Sequence, residues 1–149
     1  MENKRKILII EDNTDIQQLY KYAFEAGGYE VKASNNGLDG LNDAIEYKPD
    51  VILLDIMMPE MNGFEVLHAF TTNTSLSIPV IITSNLSQEN DKQKALQAGA
   101  SLYLVKSDYE GPDLVAKVDE FMKNFHPVAS QPATQDTTSS YNPDDLNIY

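Results

Sequence analysis

Apolar and polar positions along most of the chain fall into two alternating rhythms. Lys6-Ile7-Leu8-Ile9-Ile10 is a β-branched run that stops at Glu11-Asp12-Asn13, which predicts a strand buried on both faces. From Asp15 onward Ile16, Leu19, Tyr20, Ala23 and Phe24 recur at helical spacing until Gly27-Gly28 closes the pattern. Tyr29 to Ser34 is shorter, alternating and more polar, as in a strand near a sheet edge, and Asn35-Asn36-Gly37 is a turn. Leu38, Leu41, Ala44 and Ile45 then mark a second helix, ended by Lys48-Pro49.

The central feature is Asp50-Val51-Ile52-Leu53-Leu54-Asp55, an apolar run that ends in one carboxylate and breaks at Met57-Met58-Pro59-Glu60-Met61-Asn62-Gly63. It predicts a strand buried on both faces with Asp55 at its carboxyl end. A helix from about Phe64 to Thr72, a strand Val80 to Thr83, a helix from about Ser87 to Ala98, a strand Leu102 to Val105 and a helix from about Asp113 to Phe125 complete the pattern. Strands alternating one for one with helices predict an α/β fold with a doubly wound, five-stranded parallel sheet, because each crossover helix must cover a sheet face.

Past His126-Pro127 the rhythm stops. Residues 127–149 are rich in Ser, Thr, Pro, Gln and Asp and cannot bury enough apolar surface to offset their ordering entropy. They read as a disordered tail behind a domain spanning 1–126, although Leu146-Asn147-Ile148-Tyr149 is apolar enough to serve as a docking peptide.

Composition narrows the function. The chain has 149 residues with 42% hydrophobic content, enough for one domain with a full core. Its net charge of -12, from 23 acidic and 11 basic residues, argues against a nucleic-acid partner. The absence of cysteine excludes disulfides, thiolate metal sites and cysteine nucleophiles and fits a reducing compartment. Ile7 to Ile10 is too short for a signal peptide core or a membrane insertion. A cytoplasmic protein is expected.

In a doubly wound sheet the carboxyl ends of the first, third, fourth and fifth strands converge on one crevice. Here that brings together Glu11, Asp12, Asp55, Thr83, Ser84 and Lys106. Like charges about 4 Å apart repel by roughly 4 kcal/mol at an effective dielectric near 20, so three carboxylates would protonate or demand a cation. All-oxygen ligation without His or Cys favours magnesium, with manganese as a substitute.

With these residues in place the chain resembles the receiver domains of the bacterial response-regulator family, from about Lys6 to Phe125. The matching marks are Glu11-Asp12, Asp55 followed by Pro59 and Gly63, a hydroxyl ending the fourth strand, Gln97-Ala98-Gly99-Ala100, Tyr103 and Lys106. The resemblance implies a flavodoxin-like strand order of 2-1-3-4-5 and a phosphoacceptor at Asp55. The phosphoryl group would come from the phosphohistidine of a sensor histidine kinase or histidine phosphotransferase, or from acetyl phosphate. Asp12 and Asp55 would ligate magnesium directly, Glu11 through water, and the Met57 carbonyl would add an oxygen. Lys106 would pair with Asp55 and then with the phosphoryl group, the strand-four hydroxyl would hydrogen-bond it, and Tyr103 would follow inward. Pro59, Gly63 and Asn85 would shape the surrounding loops.

Such a protein is not an enzyme beyond promoting its own phosphorylation and dephosphorylation. The resemblance implies docking through the surface of the fourth helix, fifth strand and fifth helix, either as a single-domain regulator or as a fragment of a longer protein. A phosphotransfer shuttle to a histidine phosphotransferase and a phosphorylation-independent binding module are the alternatives. A haloacid-dehalogenase type phosphohydrolase would need an acid where Met57 stands, and a flavin protein would need a phosphate loop where Glu11-Asp12 stand.

Ser107 follows Lys106 where the family usually has proline, which leaves the geometry of that bond open. Leu86 and Met57 carry no side chain able to orient an attacking water, so slow self-dephosphorylation is expected. Alternation sends Thr83 and Ser84 to opposite faces. Ungapped matching to the family pattern backward from Lys106 and forward from Pro79 places Ser84, not Thr83, at the switch hydroxyl, with Thr83 packing in the strand.

Overall fold

The structure, a computed structural model, describes residues 4–58, 62–73 and 77–125. The predicted tail and Pro59 lie outside the described residues. The elements run β1 (Lys6–Ile10), α1 (Thr14–Ala26), β2 (Glu30–Ser34), α2 (Gly37–Tyr47), β3 (Val51–Asp55), α3 (Gly63–Thr72), β4 (Val80–Ser84), α4 (Glu89–Gln97), β5 (Leu102–Val105) and α5 (Gly111–Asn124). All strand pairs are parallel, and the sheet order is β2-β1-β3-β4-β5. This is the flavodoxin-like doubly wound fold, with five α-helices among the described residues. No helix among the described residues is long and apolar enough to cross a membrane.

Strand alternation divides the core in two. Ile7, Ile9, Val51, Leu53, Ile81 and Leu104 pack beneath Tyr20 and Phe24 of α1 and Leu114, Val115 and Val118 of α5. Leu8, Ile10, Ile52, Leu54, Ile82 and Tyr103 pack on the other side with Ala44, Val66, Leu67, Phe70 and Ala95 of α2, α3 and α4. β1, β3 and β4 are covered on both faces, which is why their sequences read as unbroken apolar runs. β2 shows alternating partial exposure because it is an edge strand.

Four helices differ from the sequence pattern, α1 in that Leu19 of its apolar spacing is 56% exposed. α2 meets the sheet through Gly37, Gly40 and Ala44, while Leu38 and Ile45 are 64% and 52% exposed. Small residues allow the closer approach: a Cβ on Gly40 would lie 2.5 Å from Ile10 Cδ1. α4 starts at Glu89 rather than near Ser87, because Leu86 N–H bonds back to Ser84 Oγ (3.0 Å) and holds the preceding residues in a loop. α5 starts at Gly111 rather than Asp113, with Pro112 in the first turn, where its missing N–H costs nothing. The residues between β5 and α5 form a short 3-10 turn, Lys106–Asp108.

Candidate functional site

Parallel pairing sets the height of each strand end. Ile10 pairs with Leu54 and Asp55 with Thr83, so Glu11 stands level with Asp55. Thr83 pairs with Leu104, and Lys106 follows two residues later. By alternation Glu11, Asp55, Thr83 and Lys106 continue the rows that face α1 and α5. Ser84 continues the opposite row with Ile82, beside Tyr103.

Glu11 and Asp55 are 2% and 3% exposed. Lys106 Nζ lies 2.9 Å from Glu11 Oε1 and 3.3 Å from Asp55 Oδ2, so it serves both carboxylates. The predicted pairing with Asp55 is thus shared with Glu11, and Glu11 takes the shorter contact. Asn13 N–H donates to Glu11 Oε2 at 3.2 Å, and Met57 N–H donates to Asp55 Oδ1 at 3.0 Å. Carboxylate oxygens of Glu11, Asp12 and Asp55 all lie within 4.8 Å of one another.

That donor set fits a hard cation. Ligands on an octahedral magnesium with bonds of about 2.1 Å are about 3 Å apart when adjacent and about 4.2 Å apart when opposite, so a small contraction of the cluster suffices.

Burial pushes the Glu11 carboxyl up to about 7; the Lys106 hydrogen bond opposes this and the Asp55 charge adds to it. Burial also works against the Lys106 ammonium, but Glu11 and Asp55 outweigh it and hold Lys106 above its ordinary value. Because Glu11 is raised in the folded state, its contribution to stability is fully present below about pH 4.5 and lost as pH rises through about 7. A divalent ion needs the deprotonated carboxyl and would offset that loss. Thermal unfolding of metal-free protein should therefore shift to lower temperature between those pH values, and the gain from added magnesium should be larger above pH 7 than below. Equal gains on both sides would contradict this assignment.

Around this centre the remaining predicted residues take distinct places. Thr83 and Ser84 are both buried, at 2% and 0% exposure. Tyr103 is already inside, with its hydroxyl donating to the Leu86 carbonyl at 2.8 Å. Burial raises its phenol, and contact with Ser84 pulls the other way. Leu86 thereby holds both the Ser84 hydroxyl, through its N–H, and the Tyr103 hydroxyl, through its carbonyl. Asn85 and Met57 are exposed at the rim. No cis peptide bond occurs among the described residues, so Lys106–Ser107 is trans.

Gly63 closes the loop below Asp55, and its N–H donates to the Ile56 carbonyl at 3.0 Å. A Cβ there would sit 2.3 Å from Ile56 Cα, so only glycine lets α3 start this close to the strand end. Asn62 and Glu65 complete a reciprocal capping box on α3.

One residue was not visible as functional in the pattern. Gln17 lies on the inward face of α1 with Tyr20 and Phe24, where a polar residue in an apolar stripe is the available signal. Its side-chain amide reaches the Glu11 carbonyl at 3.0 Å.

Comparison with known proteins agrees with this geometry. The family model described as response regulator receiver domain matches residues 7–119. The chain is 36% identical over 122 residues to the polar-differentiation response regulator DivK of Brucella anthropi, a match covering 81% of this chain and 95% of that protein. Among solved structures, the receiver domain of Francisella response regulator 1452 superposes with a TM-score of 0.74 at 29% identity, covering 80% of this chain and 98% of that one. Chemotaxis protein CheY4 of Vibrio cholerae has the same TM-score at 27% identity, covering 79% and 98%.

Proposed function

Because this chain belongs to the response regulator receiver family, as a DivK- and CheY-like member, we propose that Asp55 is its phosphoacceptor in a cytoplasmic two-component or phosphorelay pathway. The observation that carries this reading is the position of Asp55: buried at the end of β3, sharing one ammonium with Glu11 and one cation-sized cluster with Glu11 and Asp12.

An Asp55 carboxylate oxygen attacks phosphorus, and the phosphorus–nitrogen bond of a donor phosphohistidine breaks. The imidazole leaves with the electron pair and takes up a proton; with acetyl phosphate the leaving group is acetate. Lys106 follows the negative charge from the carboxylate to a phosphoryl oxygen, a charge-assisted contact aimed where charge develops. The Met57 N–H keeps Asp55 oriented during attack. Asp12 and Asp55, with Glu11 and the Met57 carbonyl beside them, would hold magnesium, or manganese in its place, which when bound would neutralise charge on the phosphoryl group. The protein has no other substrate in this reading; it promotes only its own phosphorylation and dephosphorylation.

Acid-labile phosphate should appear on Asp55 after incubation with acetyl phosphate and magnesium, read by mass spectrometry of the peptide. A chelator should prevent it. Phosphate found on another residue would defeat the proposal.

Ser84 acts as the switch hydroxyl. Supporting this, Ser84 ends β4, and its oxygen and the Tyr103 hydroxyl meet on the two backbone groups of Leu86. Movement of Ser84 towards a phosphoryl group would loosen the Leu86 N–H contact and carry the loop before α4, biasing the α4–β5–α5 docking surface between two packings. With beryllofluoride as the phosphoryl mimic, Ser84→Ala should leave Asp55 able to accept phosphate but blunt the change in Tyr103 ring resonances. The same loss from Thr83→Ala instead would place the switch one residue earlier.

A further inference from the structure

We propose that Gln17 is a positioning residue for the Glu11–Asp12 pair, tying the loop after β1 to the loop after β2 and so setting the backbone from which Asp12 reaches the cation. The inference rests on the proposed reading of that pair as cation-holding. Gln17 is 6% exposed, and its Nε2 lies 3.0 Å from the Glu11 carbonyl, 3.2 Å from the Ser34 carbonyl and 2.8 Å from Asn35 Oδ1. Two amide hydrogens are thus shared among three acceptors from two loops.

The Ser34 carbonyl also accepts from Glu11 N–H at 3.1 Å, so the β1–β2 ladder extends one step beyond the strands to the first acidic residue. The Ser34 hydroxyl in turn donates to Asp43 Oδ2 of α2 at 2.7 Å, which anchors the second loop. Glu11 is therefore held at three points. Its N–H goes to Ser34, its carbonyl to Gln17, and its side chain to Asn13 and Lys106. Asp12 is more open to solvent than Glu11 and Asp55, and no side-chain hydrogen bond to its carboxylate occurs among the described residues. Its placement depends on the peptide that Gln17 holds.

Three features explain why glutamine suits the position. Tyr20 and Phe24, three and seven residues on, turn the same face of α1 to the core, so residue 17 must point at the sheet. At that height the sheet ends, and the groups it meets are the Glu11 and Ser34 carbonyls and Asn35 Oδ1 rather than apolar side chains. Only a donor long enough to cross from helix to strand end satisfies them, and an apolar residue would leave the Glu11 carbonyl buried without this partner.

A purely structural anchor would affect stability and leave ion binding alone; a positioning residue affects both. Outer-sphere partners of metal ligands typically change affinity tenfold or more when removed. Magnesium binding to the 149-residue protein, followed by calorimetric titration with no phosphodonor present, should be about tenfold weaker in Gln17→Leu than in the wild type. Val118→Ala, a core change on α5 in the cluster that also holds Tyr20 and Phe24, should lower the unfolding temperature without changing magnesium affinity. Gln17→Asn keeps the amide but is one methylene too short, so it should fall between wild type and Gln17→Leu, and it carries the comparison if the leucine variant does not fold. Wild-type affinity in both Gln17 variants, or an equal loss in Val118→Ala, would overturn this inference alone. A wild-type protein that binds no magnesium would overturn the proposed function and this inference with it.

Discussion

Asp55→Asn should incorporate no phosphate from acetyl phosphate in the presence of magnesium, while unfolding within about 1 kcal/mol of the wild type in metal-free buffer. The loss of function is chemical: an amide oxygen is far less nucleophilic than a carboxylate, and no other side chain of the cluster stands at the end of β3. The small effect on stability comes from opposing changes. Asn retains an oxygen for the Met57 N–H, now 3.0 Å from Asp55 Oδ1, but its amide nitrogen cannot accept from Lys106, now 3.3 Å from Oδ2. Against that loss, one negative charge leaves a site where the Asp55 charge helps to raise Glu11. The Glu11 carboxyl should accordingly titrate at lower pH in the variant, which carbonyl-selective NMR would read. Unchanged phosphate incorporation would sink the assignment of Asp55 outright.

Lys106→Met should be the most disruptive single change at the site for folding and function together. The lysine amine is 2.9 Å from one buried carboxylate and 3.3 Å from another, so methionine preserves much of the volume and leaves both without a cation. Breaking a buried ion pair by removing one partner costs about 3 kcal/mol or more when the remaining charge has no escape. Here Glu11 has one. Its carboxyl already titrates at about 7, and without Lys106 it takes up a proton more readily. The expected loss in metal-free buffer is therefore smaller, about 2 kcal/mol near neutral pH, and it should shrink as pH falls and as magnesium is added. The rate of phosphate incorporation should drop roughly a hundredfold even at saturating magnesium, because a donor aimed at the developing charge is gone. Denaturant melts with and without magnesium test the first part, and timed incorporation tests the second. A variant as stable as the wild type in chelator would mean that Lys106 does not compensate the two carboxylates in solution.

Much of this protein was determined by the sequence alone, and the reason is burial. β1, β3 and β4 are covered on both faces, so they could only be unbroken apolar runs, and the residues ending those runs had to lie at the rim of a parallel sheet. Glu11, Asp12, Asp55 and Lys106 were therefore legible as neighbours from the strand pattern, and the family resemblance supplied the strand order. Helix faces were less legible. Apolar spacing marked α2 correctly as a helix but not which side meets the sheet, because Gly37, Gly40 and Ala44 permit an approach that turns Leu38 and Ile45 outward. Local spacing also says nothing of contacts between residues far apart in the chain. That Lys106 sits closer to Glu11 than to Asp55, that Leu86 holds both Ser84 and Tyr103, and that Gln17 joins two loops beside the acidic pair were decided only by tertiary structure. Each of these depends on where separate strands and helices end relative to one another, a sum of packing distances that no single stretch of sequence encodes.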